Sequence, residues 1–176
     1  MRTAAAATKE EFGAGYRGVL YGGFMLTEEG PKLLEFNARF GDPETQAVLA
    51  RFDGDVLDAF LAVAEGRAGD VRPSWSDKVS VCVVLASGGY PGSYEKGKVI
   101  LGIEEAEEMD GVLVFQAGTS YNADDELITS GGRVLNVVAL ADSFEEAREL
   151  AYEACDKINF EGKQMRFDIA KRAIEV

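Results

Sequence analysis

The chain has 176 residues, of which 47% are hydrophobic and 28% are charged, proportions that are ordinary for a folded globular protein. Its formal net charge of −13 disfavours binding to nucleic acid and to anionic membrane surfaces, because both carry the same sign of charge. The chain has no histidine, which excludes histidine-based catalytic triads and histidine–metal mechanisms within it.

The first part of the chain is predicted to form a leader followed by a hairpin. Residues 1–15 run from alanine-rich to charged to glycine-rich without a clear hydrophobic period, which predicts a loose leader. Two apolar runs, 18–26 and 32–38, flank the turn-forming residues 28–31. This arrangement predicts an antiparallel hairpin within a segment that extends over residues 16–66.

Two helices are predicted to complete that segment. Asp42 is suited to cap a helix, Pro43 to occupy its first position, and Glu44 to face the positive end of the helix dipole. After Gly54, apolar residues at helical spacing predict a second amphipathic helix that ends at Gly66.

The remainder is predicted to be a linker over residues 67–77 and a small α+β domain over residues 78–176. The domain is expected to have an antiparallel sheet with a helix packed across it. Its predicted strands are 79–85, 98–101, 113–118, 127–129 and 133–140. Ser143 or its neighbour Asp142 is expected to cap a helix that runs to about Lys157.

The two cysteines, Cys82 and Cys155, are isolated and form no C-x-x-C motif. They therefore indicate neither a disulfide framework nor a zinc site. Cys82 lies in an apolar run and is predicted to be a buried thiol, and a cytoplasmic location is expected.

The second strand of the hairpin carries a candidate metal site. Side chains alternate along a strand, so one face should carry Leu33, Glu35, Asn37 and Arg39, and the other, facing the core, should carry Leu34, Phe36 and Ala38. The carboxylate of Glu35 and the carboxamide of Asn37 offer hard oxygen ligands of the kind that suit Mg²⁺. On this alternation alone, the pattern favours the solvated face of an antiparallel hairpin over a metal site.

Neighbouring residues extend this hypothesis. Leu33 is suited to support an apolar ring such as adenine. Arg39 and the predicted helix N-terminus over 42–45 are suited to meet an anion.

A longer string gives the hairpin segment a specific likeness. Residues 35–46, EFNARFGDPETQ, closely resemble the metal-binding segment of the phosphoribosylamine–glycine ligase family of ATP-grasp enzymes. Further segments match that family in order and spacing, namely 18–23, 86–92, 117–119, 129–135 and 168–173. The resemblance covers roughly residues 16–175.

The resemblance implies a chemistry. The family joins glycine to 5-phosphoribosylamine with ATP as cosubstrate, giving glycinamide ribonucleotide in de novo purine synthesis by way of a glycyl phosphate. It implies Mg²⁺ or Mn²⁺ bound by Glu35 and Asn37, with residues 16–66 as the end of an ATP-grasp domain.

The resemblance also implies roles for other residues. It assigns Arg39 to catalysis and substrate binding, together with the turn made by Gly41, Asp42, Pro43 and Glu44. The glycine pairs Gly88-Gly89 and Gly131-Gly132 are explained equally well by turn formation alone. In the functional interpretation, they would let the C-terminal domain close over the phosphoribosyl group. Arg133 is then the candidate partner of its phosphate.

Three hypotheses follow from what this sequence contains. The family's N-terminal domain and most of its ATP-binding lobe are not among these residues, so the first hypothesis is a piece of the ligase that is inactive alone. The hairpin would then expose an apolar surface for the missing lobe or for a dimer. The second is a non-catalytic binding or assembly module derived from the ligase. The third, a related carboxylase, is disfavoured by the string over residues 37–44.

Overall fold

The computed structural model describes residues 2–175, which form two compact units. The first comprises the described residues up to Thr45 together with Phe52–Trp75. The second comprises Gln46–Arg51 and the described residues from Ser76 onward. The division differs from the predicted boundaries because residues 46–51 bond to the second unit. Ser80 Oγ donates to the Ala47 carbonyl at 2.8 Å, and an Arg51 guanidinium nitrogen donates to the Ser76 carbonyl at 3.0 Å.

The first unit begins with helix α1, Arg2–Phe12, where the sequence predicted a loose leader. The prediction was wrong at the level of secondary structure, because alanine has the highest helix propensity and needs no buried face to form a helix. No residue of α1 is buried, which explains why the segment shows no hydrophobic period. Residue 1 lies outside the described residues.

The predicted hairpin is present as β1, Tyr21–Thr27, paired antiparallel with β2, Gly30–Asn37. Glu28 and Glu29 form the turn. Leu34 and Phe36, predicted to face a core, are 65% and 42% exposed, and Ala38 is also exposed. The prediction that this face packs on a core was wrong. Within the described part of the first unit, the two-stranded ladder has no second layer of structure that could bury the face.

Two helices follow the hairpin. Helix α2, Glu44–Leu49, begins one residue later than predicted, after a cis peptide between Asp42 and Pro43. Helix α3, Val56–Ala64, matches its prediction. Asp55 caps α3 by accepting hydrogen bonds from the backbone N–H groups of Leu57 and Asp58 at 2.9 and 3.0 Å.

The predicted linker has structure of its own. It carries a 3₁₀ turn, Ala68–Asp70. The Trp75 ring packs edge-on against Phe52, with 5.3 Å between centroids. This aromatic pair explains why the first unit extends to Trp75 rather than ending at residue 66.

The second unit is built on a three-stranded antiparallel sheet in the order β3–β7–β4. The strands are β3, Val79–Ala86; β4, Val112–Gln116; and β7, Arg133–Ala141. A separate ladder pairs β5, Thr119–Tyr121, with β6, Leu127–Thr129. Helix α5, Phe144–Lys157, contacts the sheet, and Ser143 caps it by accepting from the Glu146 N–H at 3.2 Å, as predicted.

The core of this unit follows from alternation in the strands and from small residues on the helix. The buried residues are Val81, Val83 and Leu85 of β3, Leu135 and Val137 of β7, and Ala147, Ala151 and Ala154 of α5. Alanines at helical spacing let α5 approach the sheet closely. Cys155 is buried beside them, whereas Cys82 is only half-buried, because it lies on the opposite face of β3.

Other elements depart from the sequence predictions. Residues 98–101 form no strand but make isolated bridges, Val99 with Ile128 and Leu101 with Asn159. Partners from two different segments prevent a continuous ladder. Two short helices were not predicted, α4, Ile103–Glu107, and α6, Lys171–Ile174. None of the helices in residues 2–175 is long and apolar enough to cross a membrane.

Candidate functional site

The hairpin brings Glu35 and Asn37 together on β2. The Asn37 amide Nδ2 donates a hydrogen bond to Glu35 Oε1 at 2.9 Å. Across the ladder, Tyr21 pairs with Asn37 and Gly23 pairs with Glu35. Glu35 and Asn37 line an open cleft of about 520 Å³ within the first unit. We call this space the hairpin cleft.

A register shift decides which leucine reaches the hairpin cleft. Gly23 pairs with Glu35 and Phe24 pairs with Leu33, so Leu34 is the extra residue of a β-bulge. Leu34 lines the hairpin cleft, whereas Leu33 is not among the described residues that line it. The simple alternation that grouped Leu33 with Glu35 therefore fails at the bulge. The adenine-supporting role of Leu33 remains a prediction.

Arg39 lies after β2, where the chain turns into the loop that leads to α2. Its guanidinium Nη1 donates to the Phe40 carbonyl at 2.7 Å, and Arg39 lines the hairpin cleft. The Phe40 ring packs against Phe60 of α3, with 5.5 Å between centroids. The loop that carries Arg39 is thereby anchored to the helix beneath it.

The loop from Gly41 to Glu44 completes the cleft. The lining includes Gly41, Asp42 and Glu44, whereas Pro43 is not among the described residues that line the cleft. Gly41 is buried, and its carbonyl accepts hydrogen bonds from both the backbone N–H and the hydroxyl of Thr45. A Cβ at Gly41 would collide with the Glu44 carboxylate, so glycine is what lets that carboxylate fold back over the loop.

Tyr21 belongs to the cleft and was missed by the sequence prediction. Its hydroxyl donates to Glu44 Oε1 at 3.2 Å. The charge of Glu44 raises the pKa of the Tyr21 phenol above its usual 10.0, and desolvation, the hydrogen bond and the charge of Glu35 add to the effect. No sequence spacing signals this contact, because the two residues lie 23 positions apart.

The oxygen donors of Glu35 and Asn37 are of a kind that could hold Mg²⁺, and their role as metal ligands stays a prediction. Within residues 2–175 there is no cluster of three or more acidic or cysteine side chains placed to hold a metal. Glu35 and Asn37 instead supply one carboxylate and one carboxamide, already within hydrogen-bonding distance of each other. Mg²⁺ commonly takes one or two protein ligands and completes its shell with water and phosphate oxygens.

The second unit positions Arg133 at the start of β7, opposite Ala86 of β3. Ser87 ties the two glycine loops together. Its N–H donates to the Gly132 carbonyl and its hydroxyl to the Gly131 carbonyl, both at 2.8 Å. The glycine loops therefore form one fixed assembly beside Arg133.

Comparison with known families decides the relationship of this chain. The phosphoribosylglycinamide synthetase C domain model matches residues 80–172, which is more than half of the chain. The chain belongs to the phosphoribosylglycinamide synthetase family. The family's ATP-grasp (A) domain model matches residues 1–45, the part that carries the hairpin.

Individual relatives agree with this family assignment. The chain is 54% identical to the phosphoribosylamine–glycine ligase of Caldanaerobacter subterraneus subsp. tengcongensis, over 93% of this chain and 38% of that protein. It is 50% identical to the trifunctional purine biosynthetic protein adenosine-3 of Chironomus tentans, over 92% of this chain and 12% of that protein. The chain thus spans well under half of the length of these relatives.

Solved structures show the same likeness. The crystal structure of phosphoribosylamine–glycine ligase from Thermotoga maritima matches with a TM-score of 0.75 and 40% identity, over 90% of this chain and 38% of that one. The N5-carboxyaminoimidazole ribonucleotide synthetase of the same organism matches with a TM-score of 0.56 at 16% identity, which shows a shared fold alone. The predicted α+β architecture of an ATP-grasp ligase is thereby confirmed.

Proposed function

We propose that this chain supplies the metal-ligand side of an ATP-dependent ligase that joins glycine to 5-phosphoribosylamine. The observation that carries the proposal is the contact between Glu35 and Asn37 on the hairpin, in a cleft that also holds Arg39 and Glu44. The family membership of the chain and the names of its relatives support the same reaction. We place the protein in the cytoplasm, as suits a chain with two cysteines that are isolated in sequence.

The proposed reaction has two steps that balance. The glycine carboxylate attacks the γ-phosphorus of ATP, the bond to the β,γ-bridging oxygen breaks, and glycyl phosphate and ADP form. The amine of 5-phosphoribosylamine then attacks the acyl carbon, inorganic phosphate leaves, and the nitrogen loses one proton. The first step brings a carboxylate against the phosphates of ATP, and the second releases an anionic phosphate, so neutralisation and alignment are what the protein must supply.

The residues of the hairpin cleft divide this work. Glu35 and Asn37 would hold Mg²⁺ or Mn²⁺, which when bound offsets the charge of the phosphate groups and keeps them aligned. Arg39 would bind the glycine carboxylate and offset the charge of the acyl phosphate. Glu44, fixed by Tyr21 and by the loop at Gly41, is suited to the glycine ammonium group, because its charge is opposite.

In the second unit, we propose Arg133 as a partner of the phosphate of 5-phosphoribosylamine. Arg133 adjoins the glycine-loop assembly, and an arginine matches phosphate geometry with two parallel hydrogen bonds. In a complete ligase, Arg133→Ala should raise the KM for 5-phosphoribosylamine. An unchanged KM would show that the phosphate is bound elsewhere.

The ligase proposal is tested with this chain and with a chimera. A coupled phosphate-release assay with glycine, ATP and freshly made 5-phosphoribosylamine should show no turnover by the chain alone, and turnover would contradict our expectation that it is inactive by itself. The chimera replaces the matching part of the Caldanaerobacter ligase with this chain. It should be active, whereas Glu35→Gln and Asn37→Ala in it should lower kcat at least tenfold, by loss of charge stabilisation.

A matched control separates site chemistry from general charge. Glu28→Gln removes an exposed carboxylate from the turn of the same hairpin. It should leave the kcat of the chimera unchanged. Equal losses in Glu28→Gln and Glu35→Gln would refute a specific metal-ligand role for Glu35.

A further inference from the structure

A second pocket lies wholly within the second unit, at the end of β3. Its volume is about 370 Å³, within the range of small-molecule sites. Its walls are mainly apolar. Val84 and Ala86 of β3 line it together with Met165, and the Tyr90 ring and Pro91 complete these walls. We call this space the C-domain pocket.

The backbone around the C-domain pocket is held in place by hydrogen bonds. Gln164 exchanges two backbone hydrogen bonds with Ala86, at 2.8 and 2.9 Å. The side-chain Nε2 of Gln164 donates to the Tyr90 carbonyl at 2.8 Å. These contacts join the end of β3, the Tyr90 loop and the segment before Arg166 into one frame.

The aromatic wall of the C-domain pocket is held in place because Gly132 has no side chain. A Cβ at Gly132 would collide with the Tyr90 ring, so the ring lies directly against the Gly132 backbone. Tyr94 packs edge-on against Tyr90, with 6.3 Å between centroids. Since Tyr90 remains 37% exposed, one face of a preset aromatic ring is open to a ligand.

The charge of the C-domain pocket is opposite to that of the chain. The chain carries a formal net charge of −13, yet the charged residues described in the pocket lining are Arg133 and Arg166. Arg166 is oriented by Asp168, with Nε–Oδ1 and Nη2–Oδ2 distances of 2.9 and 2.6 Å. Two guanidinium groups at an apolar pocket favour a ligand with an apolar body and an anionic end.

We propose that the C-domain pocket binds a nucleoside monophosphate, with the base against Tyr90 and Pro91 and the phosphate at Arg133 and Arg166. A sugar phosphate without a base would leave the apolar walls unused. Base stacking on an aromatic ring contributes about 1–3 kcal/mol, which favours a ligand that has a base. The proposal does not depend on the ligase reaction, although Arg133 is common to both.

The test is calorimetric titration of the whole 176-residue chain with AMP, followed by ¹⁵N NMR to locate the site. Signals of Tyr90 and Gln164 should shift, while those of Glu35 and Asn37 should stay in place. Arg133→Gln should raise the Kd by about tenfold or more through loss of a charge-assisted contact. Tyr90→Ala should raise it by about fivefold or more through loss of stacking.

Controls make each outcome decisive. Arg172→Gln removes an exposed arginine of the same unit from outside the pocket and should leave the Kd unchanged. Arg166→Gln provides a second test of the phosphate contact, should Arg133→Gln lose the native NMR spectrum. Adenosine and ribose 5-phosphate, each lacking one part of AMP, should bind at least about tenfold more weakly.

Several results would overturn the proposal. Absence of AMP binding at millimolar concentration is one, and NMR shifts confined to the hairpin cleft are another. Ribose 5-phosphate binding as tightly as AMP would assign the pocket to a phosphoribosyl group alone. That last result would leave the proposed ligase function intact, whereas an inactive chimera with normal AMP binding would count against the ligase function only.

Discussion

Tyr21 donates its hydroxyl hydrogen to Glu44 and thereby joins the first strand of the hairpin to the first residue of α2. The contact raises the pKa of the Tyr21 phenol, chiefly through the negative charge of Glu44. Because the folded-state pKa lies above the unfolded value of 10.0, any stability from this contact is present below pH 10 and is lost as the pH rises through the folded pKa.

Glu44→Gln should therefore lower the pKa of Tyr21 toward its ordinary value. The measurement is an alkaline titration of the tyrosine ¹³Cζ signals by NMR, with Tyr21→Phe to assign the resonance. Glu29→Gln, an exposed acid on the hairpin turn, is the control and should leave the titration unchanged. An unaltered Tyr21 pKa in Glu44→Gln would mean that the two side chains do not meet in solution.

Asn136 should be a site where the protein can be stabilised. It is buried at the centre of β7, with 1% exposure, and neither side-chain polar atom has a hydrogen-bond partner among the described residues. A buried polar group without a partner costs about 1–3 kcal/mol. Asn136→Val, which suits a strand flanked by Val84 and Phe115, should raise the free energy of unfolding by roughly 1 kcal/mol.

Urea denaturation followed by circular dichroism measures this change. The matched control is Asn159→Val, at an exposed position, which should alter stability by no more than about 0.5 kcal/mol. Destabilisation by Asn136→Val would show that the Asn136 amide is satisfied, for instance by buried water.

Lys163 should stabilise the C-terminal end of α5. Its ammonium group donates to the carbonyls of Cys155 and Ile158 at 2.9 and 2.6 Å. These carbonyls lie at the negative end of the helix dipole, so both hydrogen bonding and charge favour the contact. Lys163→Met keeps most of the aliphatic chain and should lower the free energy of unfolding by about 1–3 kcal/mol.

The same denaturation experiment tests Lys163, with Lys157→Met as its control. Lys157 is exposed and lies in the last turn of α5, so it loses only a weak dipole interaction. Equal effects of the two substitutions would refute a specific role for the Lys163 hydrogen bonds.

The hairpin should make the isolated chain associate. Leu26 is 83% exposed near the tip of the hairpin, and Met25 and Phe24 beside it are also exposed. Exposed apolar residues on an edge strand favour self-association. Sedimentation at rising concentration should show a dimer, and Leu26→Lys should shift it toward monomer. Leu57→Lys, on exposed α3, is the control, and a monomer at high concentration would contradict the prediction.

Local signals in the sequence predicted much of the fold. The turn at residues 28–31 predicted the hairpin, and Ser143 predicted the start of α5, because turns and caps depend on residues close in sequence. The boundary between units could not be predicted, because residues 46–51 join the second unit through contacts with Ser76 and Ser80. Contacts between residues so far apart in the chain produce no periodic pattern in the sequence.

The candidate site was predicted in the same partial way. Glu35 and Asn37 share a strand, so spacing was sufficient to bring them together. Tyr21 and Glu44 meet only after the hairpin and the loop have folded, and no regular spacing between them in the sequence predicts the contact. The close approach of Glu44 to Gly41 likewise depends on where Glu44 turns back, which only the three-dimensional arrangement reveals.

The bulge at Leu34 separates the pairing of the hairpin into two independent arms. Residues 30–33 and 35–37 each keep their own partners on β1, so removal of Leu34 would preserve both sets of pairs. In the resulting regular ladder, Leu33 would directly precede Glu35, so alternation would keep these two side chains on opposite faces. One inserted residue thus adds an apolar side chain to the cleft of the Glu35–Asn37 pair while leaving that pair and the rest of the register intact.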